Sequence, residues 1–450
     1  MPTPLTGPAH KRLLAATITA AACLCTQALT ATPATASTSP DVVSRGVTIP
    51  DFYNPPTTLP TTDGTLVRTE PLPLALSLPG LDGSTLPGTA TRLMYKSTDS
   101  NGQPVAVTGA YVEPSAAWSG TGPRPLVAVA PGTLGQGDQC SASMGLEHPL
   151  SLNSQSVSVG YEDLAIYRLL AEGVAVVVTD YVGLGATDRL HTYVNRIDEA
   201  HAVLDAVRAA RSVSGATVSA DSPVGLYGYS QGGGATAAAA ELQSSYAPDV
   251  TLSGTYAGAP PADLTSVTKA IDGSELAGAL GWSLNGFLQS DPELKPLAEA
   301  HLNDAGKAAL TDLSTMCVGD ALFGYAYTQS SSWTTDGESI GDIIASTPAL
   351  QRFLDEQRIG TLKPSGPVRL ATGVSDNLVP HAQARQLALD WCAKGADVTY
   401  KAVVLPGVGS ALLNHFAPLL TDQGDAIAWL TDRLAGKPTT SNCWTMPVQP

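Results

Sequence analysis

After Leu29 the 450-residue chain has no stretch long and apolar enough to cross a bilayer, which excludes a polytopic membrane protein. Basic side chains are scarce: 24 Lys and Arg face 40 Asp and Glu, a formal net charge of −16. That balance repels phosphate backbones and anionic headgroups, so nucleic acid is excluded as a partner. The 6 cysteines are not spaced as zinc ligands, no internal repeat points to a solenoid or propeller, and no motif implies a metal or an organic cofactor.

What the chain does have begins with a leader. His10, Lys11 and Arg12 precede an apolar run from Leu13 to Leu29, and Ala34-Thr35-Ala36 offers a small-residue cleavage site. Residues 1–36 therefore read as a signal peptide and the protein as secreted. Cys23 after three alanines leaves a lipid-anchored form as a minor alternative, although the branched apolar residue usual three positions earlier is missing. Lys11 and Arg12 leave with the leader and no acidic residue does, so 40 acidic face 22 basic side chains and the net charge becomes −18. Cys140, Cys317, Cys392 and Cys443 remain. An even number in an exported chain argues for two disulfides, with three connectivities open.

Residues 37–87 are rich in Pro, Thr and Ser with little periodicity, and read as an extended arm laid over the domain. Thr89–Ser97 and Gln103–Val112 flank Asp99-Ser100-Asn101-Gly102 as an antiparallel hairpin. From Pro125 onward, apolar runs of the kind buried on both sheet faces alternate with helical patterns, which predicts an α/β fold with a mostly parallel sheet. The strands are expected at Leu126–Ala130, Val174–Val178, Val224–Tyr229, Val250–Tyr256, Val368–Thr372 and Val398–Leu405, and the last helix at Phe416–Leu434. Between 262 and 365 the alternation lapses into helical, Gly- and aromatic-containing sequence. An insertion after a strand's C-terminal end lies over the edge where open α/β sheets bind ligands, so 262–365 reads as a helical cap between core segments 88–261 and 366–450.

The chemistry centres on Gly228-Tyr229-Ser230-Gln231-Gly232, a G-x-S-x-G pentapeptide between an apolar strand and an alanine-rich helix. In such a turn the serine is strained and its neighbours two residues away approach closely, which Gly228 and Gly232 permit. A serine nucleophile needs a histidine base, and the histidine a carboxylate to orient it. The expected chain order is Ser, Asp, His. Asp376, after the Val368 strand, and His415, after the Val398 strand, satisfy it. His148, His191, His201 and His301 come too early, while His381 is a rival only five residues beyond Asp376. An oxyanion would be met by the backbone amide of Gln231 and by a second amide from the Gly132–Cys140 loop, whose identity the residues leave open.

With these motifs in view, the chain resembles the secretory lipases, α/β hydrolases with a large helical cap typified by fungal lipase A and also found in actinobacteria. The resemblance rests on Pro131-Gly132-Thr133 with Asp138 and Cys140 downstream, on Asp180-Tyr181-Val182-Gly183-Leu184-Gly185 with Tyr193 following, on the Ser230 elbow, and on Asp376 and His415. It implies a Ser230–His415–Asp376 triad, oxyanion amides from Asp138 and Gln231, and disulfides Cys140–Cys317 and Cys392–Cys443. The expected function is hydrolysis of carboxylic esters, acylglycerols or related lipid esters, without a cofactor and at or near a lipid-water interface. A non-lipolytic carboxylesterase or polyester hydrolase, a serine peptidase of the same fold and a non-catalytic binding module stay open.

Overall fold

The apolar runs after Pro125 form the parallel part of one nine-stranded sheet. In a computed structural model that describes residues 41–80 and 85–450, its strands are β1 (Leu66–Leu72), β2 (Gly88–Thr98), β3 (Pro104–Pro114), β4 (Leu126–Ala130), β5 (Ala175–Val182), β6 (Val224–Tyr229), β7 (Leu252–Gly258), β8 (Val368–Gly373) and β9 (Val398–Val403). The spatial order is β9-β8-β7-β6-β4-β5-β3-β2-β1. Strands β4 to β9 pair in parallel, and β1 to β3 add an antiparallel edge. Every residue of β4, β5 and β6 is buried, as their unbroken apolar sequences require when helices cover both faces.

The helices of the core are α1 (Ala142–Glu147), α2 (Asp163–Ala171), α3 (Arg196–Ala210) and α4 (Gln231–Tyr246), and after the cap α12 (His381–Ala393) and α13 (Ala411–Leu434). One sheet face is covered by α3, α4 and α12, the other by α2 and α13. Alanines dominate the contact of α3 and α4 with the sheet, among them Ala202, Ala206, Ala235 and Ala239. Small side chains let both helices lie close, and larger residues such as Leu226 and Leu430 each contribute about 1.5–3 kcal/mol by burial.

Between β7 and β8 the chain leaves the sheet and forms α5 (Leu264–Ile271), α6 (Ala279–Ser290), α7 (Lys295–His301), α8 (Asp304–Leu313), α9 (Val318–Gly324), α10 (Ile340–Ser346) and α11 (Pro348–Glu356). Trp282 and Trp333 fill the core of this insertion, and Trp282 Nε1 donates to the Leu313 carbonyl at 2.9 Å. Phe323 and Tyr327 stay exposed. Among the described residues no helix is long and apolar enough to cross a membrane.

Three sequence expectations change. The 37–87 arm supplies an edge strand, β1, paired antiparallel with β2; Pro71 masked it by breaking the pattern, yet an edge strand tolerates proline on its unpaired side. The last helix starts at Ala411, capped by the Ser410 hydroxyl, which accepts from Leu413 N–H at 3.2 Å. His415 therefore lies within its second turn rather than before it, and Pro418 sits inside the helix instead of opening it. The third change concerns Asp138 and is taken up with the site. The leader and Cys23 lie outside the described residues.

Both disulfides pair as the resemblance implied, Cys140 with Cys317 and Cys392 with Cys443. The first joins the loop after β4 to the start of α9. Around it Gln136 N–H donates to the Met316 carbonyl at 2.9 Å and Val318 N–H to that of Leu134 at 2.7 Å. Cys392–Cys443 only ties the C-terminal segment to α12. Removing either bridge by paired alanine substitution should cost about 2–4 kcal/mol in thermal or urea unfolding. The Cys140/Cys317 pair alone should also lower ester turnover, measured well below the midpoint temperature.

Candidate active site

Ser230 stands at the β6–α4 junction with φ 58° and ψ −123°, a conformation that costs a non-glycine residue on the order of 1–3 kcal/mol. Packing imposes it. A Cβ on Gly228 would stand 2.1 Å from the Gly232 carbonyl oxygen, one on Gly232 2.0 Å from that of Ala130, and one on Gly233 2.1 Å from that of Gly258. The strained turn lifts the serine off the sheet edge while its own N–H donates to Gly258 O at 2.8 Å.

Asp376 comes to it from the loop after β8, and His415 from the second turn of α13, the helix that follows β9. His415 Nδ1 is 2.7 Å from Asp376 Oδ2, and its Nε2 is 2.8 Å from Ser230 Oγ. The carboxylate accepts only, so Nδ1 carries the proton and Nε2 is left to accept from the serine hydroxyl. Asp376 Oδ1 is held by the N–H groups of Leu378 and Val379 at 3.1 and 3.0 Å. Both His415 and Asp376 are buried, and Tyr229 OH donates to the His415 carbonyl at 2.7 Å. The rival His381 turns away, its Nε2 lying 3.4 Å from Tyr400 OH.

The loop after β4 is tethered residue by residue. Tyr181 OH donates to the Pro131 carbonyl at 2.7 Å, Gly132 N–H donates to the Glu162 carboxyl at 2.6 Å, and Tyr161 OH donates to the Thr133 carbonyl at 3.0 Å. Thr133 Oγ1 and Tyr193 OH share a further hydrogen bond of 2.7 Å. Burial pushes Glu162 up to about 7, against the lowering effect of the Gly132 N–H. The Asp180 block earns its specificity here: Asp180 ties down the start of α1 through Ser143, and Tyr181, at φ 69°, swings under Pro131.

Two apolar cavities meet at Ser230. One runs under the cap past Val267, Ile271, Leu276 and Phe287, with Gln231 and Thr133 in its wall. The other is bounded by Val159, Leu322, Leu412, His415 and Phe416, again with Thr133. Asp138 is in neither wall. It opens a short 3-10 turn, Asp138–Cys140, where burial and then Asp188 push its carboxyl up to about 7. The resemblance named Asp138 for the second oxyanion amide; in the structure Thr133 of the same loop lines both cavities at Ser230 and Asp138 lines neither. Sequence reasoning also missed Tyr161, Glu162 and Glu199, and discarded His191, which lies 3.0 Å from the Gln231 side chain. Nothing in their local sequence marks them; only the fold brings them to the loop and the elbow.

A parallel sheet with a serine elbow, an aspartate from the loop after β8 and a histidine from the helix after β9 define an α/β hydrolase of the ester-hydrolase type. Residues 146–442 match the family model for secretory lipase, and the chain belongs to that family. It is 31% identical to a Mycobacterium tuberculosis protein named as a probable inactive lipase, over 87% of this chain and 83% of that one. To a secreted triacylglycerol lipase of Malassezia globosa it is 27% identical over 61% of this chain and 58% of the other. Among solved structures, Candida antarctica lipase A in its closed state superposes with a TM-score of 0.73 at 20% identity, covering 87% of each chain.

If His415 is oriented by Asp376 alone, Asp376→Asn should lower kcat by about four orders of magnitude by favouring the wrong tautomer. His381→Ala, assayed in parallel on a soluble nitrophenyl ester, should stay within about threefold of wild type.

Proposed function

We propose that this secretory lipase hydrolyses acylglycerols or related lipid esters outside the cell through an acyl-Ser230 intermediate. The observation that carries the reading is the unbroken Ser230–His415–Asp376 hydrogen-bonded chain at the meeting point of two apolar cavities. His415 Nε2 takes the serine proton as Oγ attacks the ester carbonyl, and then delivers it to the departing alcohol oxygen. Asp376 steadies the imidazolium. Water, activated by the same histidine, attacks the acyl-enzyme, and the serine leaves with its proton restored.

The tetrahedral oxyanion would be met by the main-chain amide of Gln231, at the electropositive start of α4, and by that of Thr133 in the place expected of Asp138. A substrate with two apolar arms suits a serine flanked by two apolar cavities. A third apolar chamber inside the cap shares Phe287 with the first cavity and would extend the room for an acyl chain. Secretion and lipid substrates are also what the name of the Malassezia globosa relative describes. The probably inactive Mycobacterium tuberculosis relative gives the non-catalytic reading its own support.

Emulsified triglyceride, a nitrophenyl ester series and a peptide panel should be offered to wild type and Ser230→Ala. Wild type should cleave the esters and leave the peptides intact, and the variant should lose about 10⁴-fold or more in kcat. An inactive wild type would overturn the hydrolase reading and favour the non-catalytic one. Peptide cleavage would favour the peptidase, and activity confined to short soluble esters the carboxylesterase.

A further inference from the structure

Gln231 is engaged at both ends. Its main-chain amide lies beside the nucleophile, while its side chain is held in a buried polar cluster. His191 Nδ1 lies 2.9 Å from the Val182 carbonyl, which only accepts, so Nδ1 carries the proton and Nε2 is bare. The Gln231 side-chain amide donates one N–H to that nitrogen at 3.0 Å and the other to Glu199 Oε1 at 2.8 Å. The same Glu199 oxygen accepts from Val194 N–H at 3.0 Å. The ring stacks on Tyr181 at 5.7 Å, and burial brings it down to about 4, so it stays neutral.

Glu199, in the first turn of α3, is 3% exposed and forms no ion pair among the described residues. The groups facing it are Gln231 on α4, His191, the hydroxyls of Tyr181 and Tyr193, and Asp198 on its own helix. Asp198 is itself raised to about 6 by burial, and Asp99, which adds to that, is paired with Arg189 at 3.2 Å. Arg196, the cation that opens α3, is taken by Glu241 at 3.0 Å. Among the described residues no cation offsets a charge on Glu199, and burial pushes its carboxyl up to about 8. Ionisation would add a negative charge one side chain away from the amide that has to meet an oxyanion, in surroundings where such charges are poorly screened.

Building on the reading that the Gln231 amide stabilises the oxyanion, we propose that Glu199 and His191 are positioning residues. They lock Gln231 in register with the nucleophile, and the uncharged form of Glu199 is the one that supports turnover. The carboxylate keeps its hydrogen bonds when it ionises, so substrate binding is retained and only transition-state stabilisation weakens. The effect belongs in kcat and on the alkaline side.

The test is kcat and KM on tributyrin by pH-stat between about pH 6 and 10 for wild type, Glu199→Gln and His191→Phe. Wild-type kcat should fall on the order of tenfold through a one-proton limb near pH 8 with KM steady. Glu199→Gln should lose that limb. His191→Phe should keep the limb and lower kcat about tenfold at every pH, because one Gln231 N–H loses its acceptor. An identical alkaline limb in Glu199→Gln would overturn the charge role, and an unchanged kcat in His191→Phe the positioning role. Should Glu199→Gln fail to fold, the wild-type profile decides: a kcat level through pH 9 removes the charge role. Fluorophosphonate labelling of Ser230 in each protein separates these failures from failure of the nucleophile assignment, which would abolish labelling in wild type as well.

Discussion

The start of α4 is wedged between the ends of β4 and β7, with Gly232 against the Ala130 carbonyl and Gly233 against that of Gly258. No side chain fits at either contact. Because the helix is seated so deeply, the chain has to reverse within one residue after β6, and that residue is Ser230 at φ 58°. The strain is tolerated because six parallel strands and two alanine-faced helices fix both sides of the turn. Asp376 from the loop after β8 and His415 from the second turn of α13 then need only reach Ser230 for the hydrogen-bonded chain to close.

The second constraint is the tethering of the Pro131–Thr133 loop. Three tyrosine hydroxyls and one buried carboxyl hold its carbonyls, an amide and a hydroxyl in place. The Cys140–Cys317 bridge anchors the far end of the same loop to the cap. Core and cap are thus joined at the loop that borders the site, so the seating of α9 and the position of Thr133 depend on each other. Under the proposed function, preorganised donors of this kind lose little when charge develops, so rigidity here would serve catalysis as well as stability.

Much of this was legible in the sequence because the relevant signals are local. Glycines on either side of Ser230, the uninterrupted apolar strands β4 to β6 and the Ser, Asp, His order each follow from short-range chemistry. The Asp180-Tyr181 block was readable as a marker, though its function, Tyr181 bracing Pro131, depends on a positive-φ kink that only the fold reveals. What stayed hidden is non-local. Glu162, at the N-cap of α2, reaches Gly132, Glu199 reaches Gln231 from the first turn of α3, and His191 is disqualified by chain order from the one role considered for it. β1 was masked by Pro71, and the start of α13 by Pro418. Asp138 came from the resemblance, and only the fold shows that Thr133 of the same loop, and not Asp138, lines the cavities at Ser230.

The account stands on Ser230 as the group that carries the acyl chain. Incubation with a fluorophosphonate, followed by mass spectrometry of the whole protein and of its Ser230 peptide, tests this directly. A single adduct on Ser230 that appears in step with loss of ester hydrolysis, and is missing from Ser230→Ala, is the predicted result. Hydrolysis that persists after Ser230 is fully modified, or an adduct on another residue that abolishes it, would contradict the account.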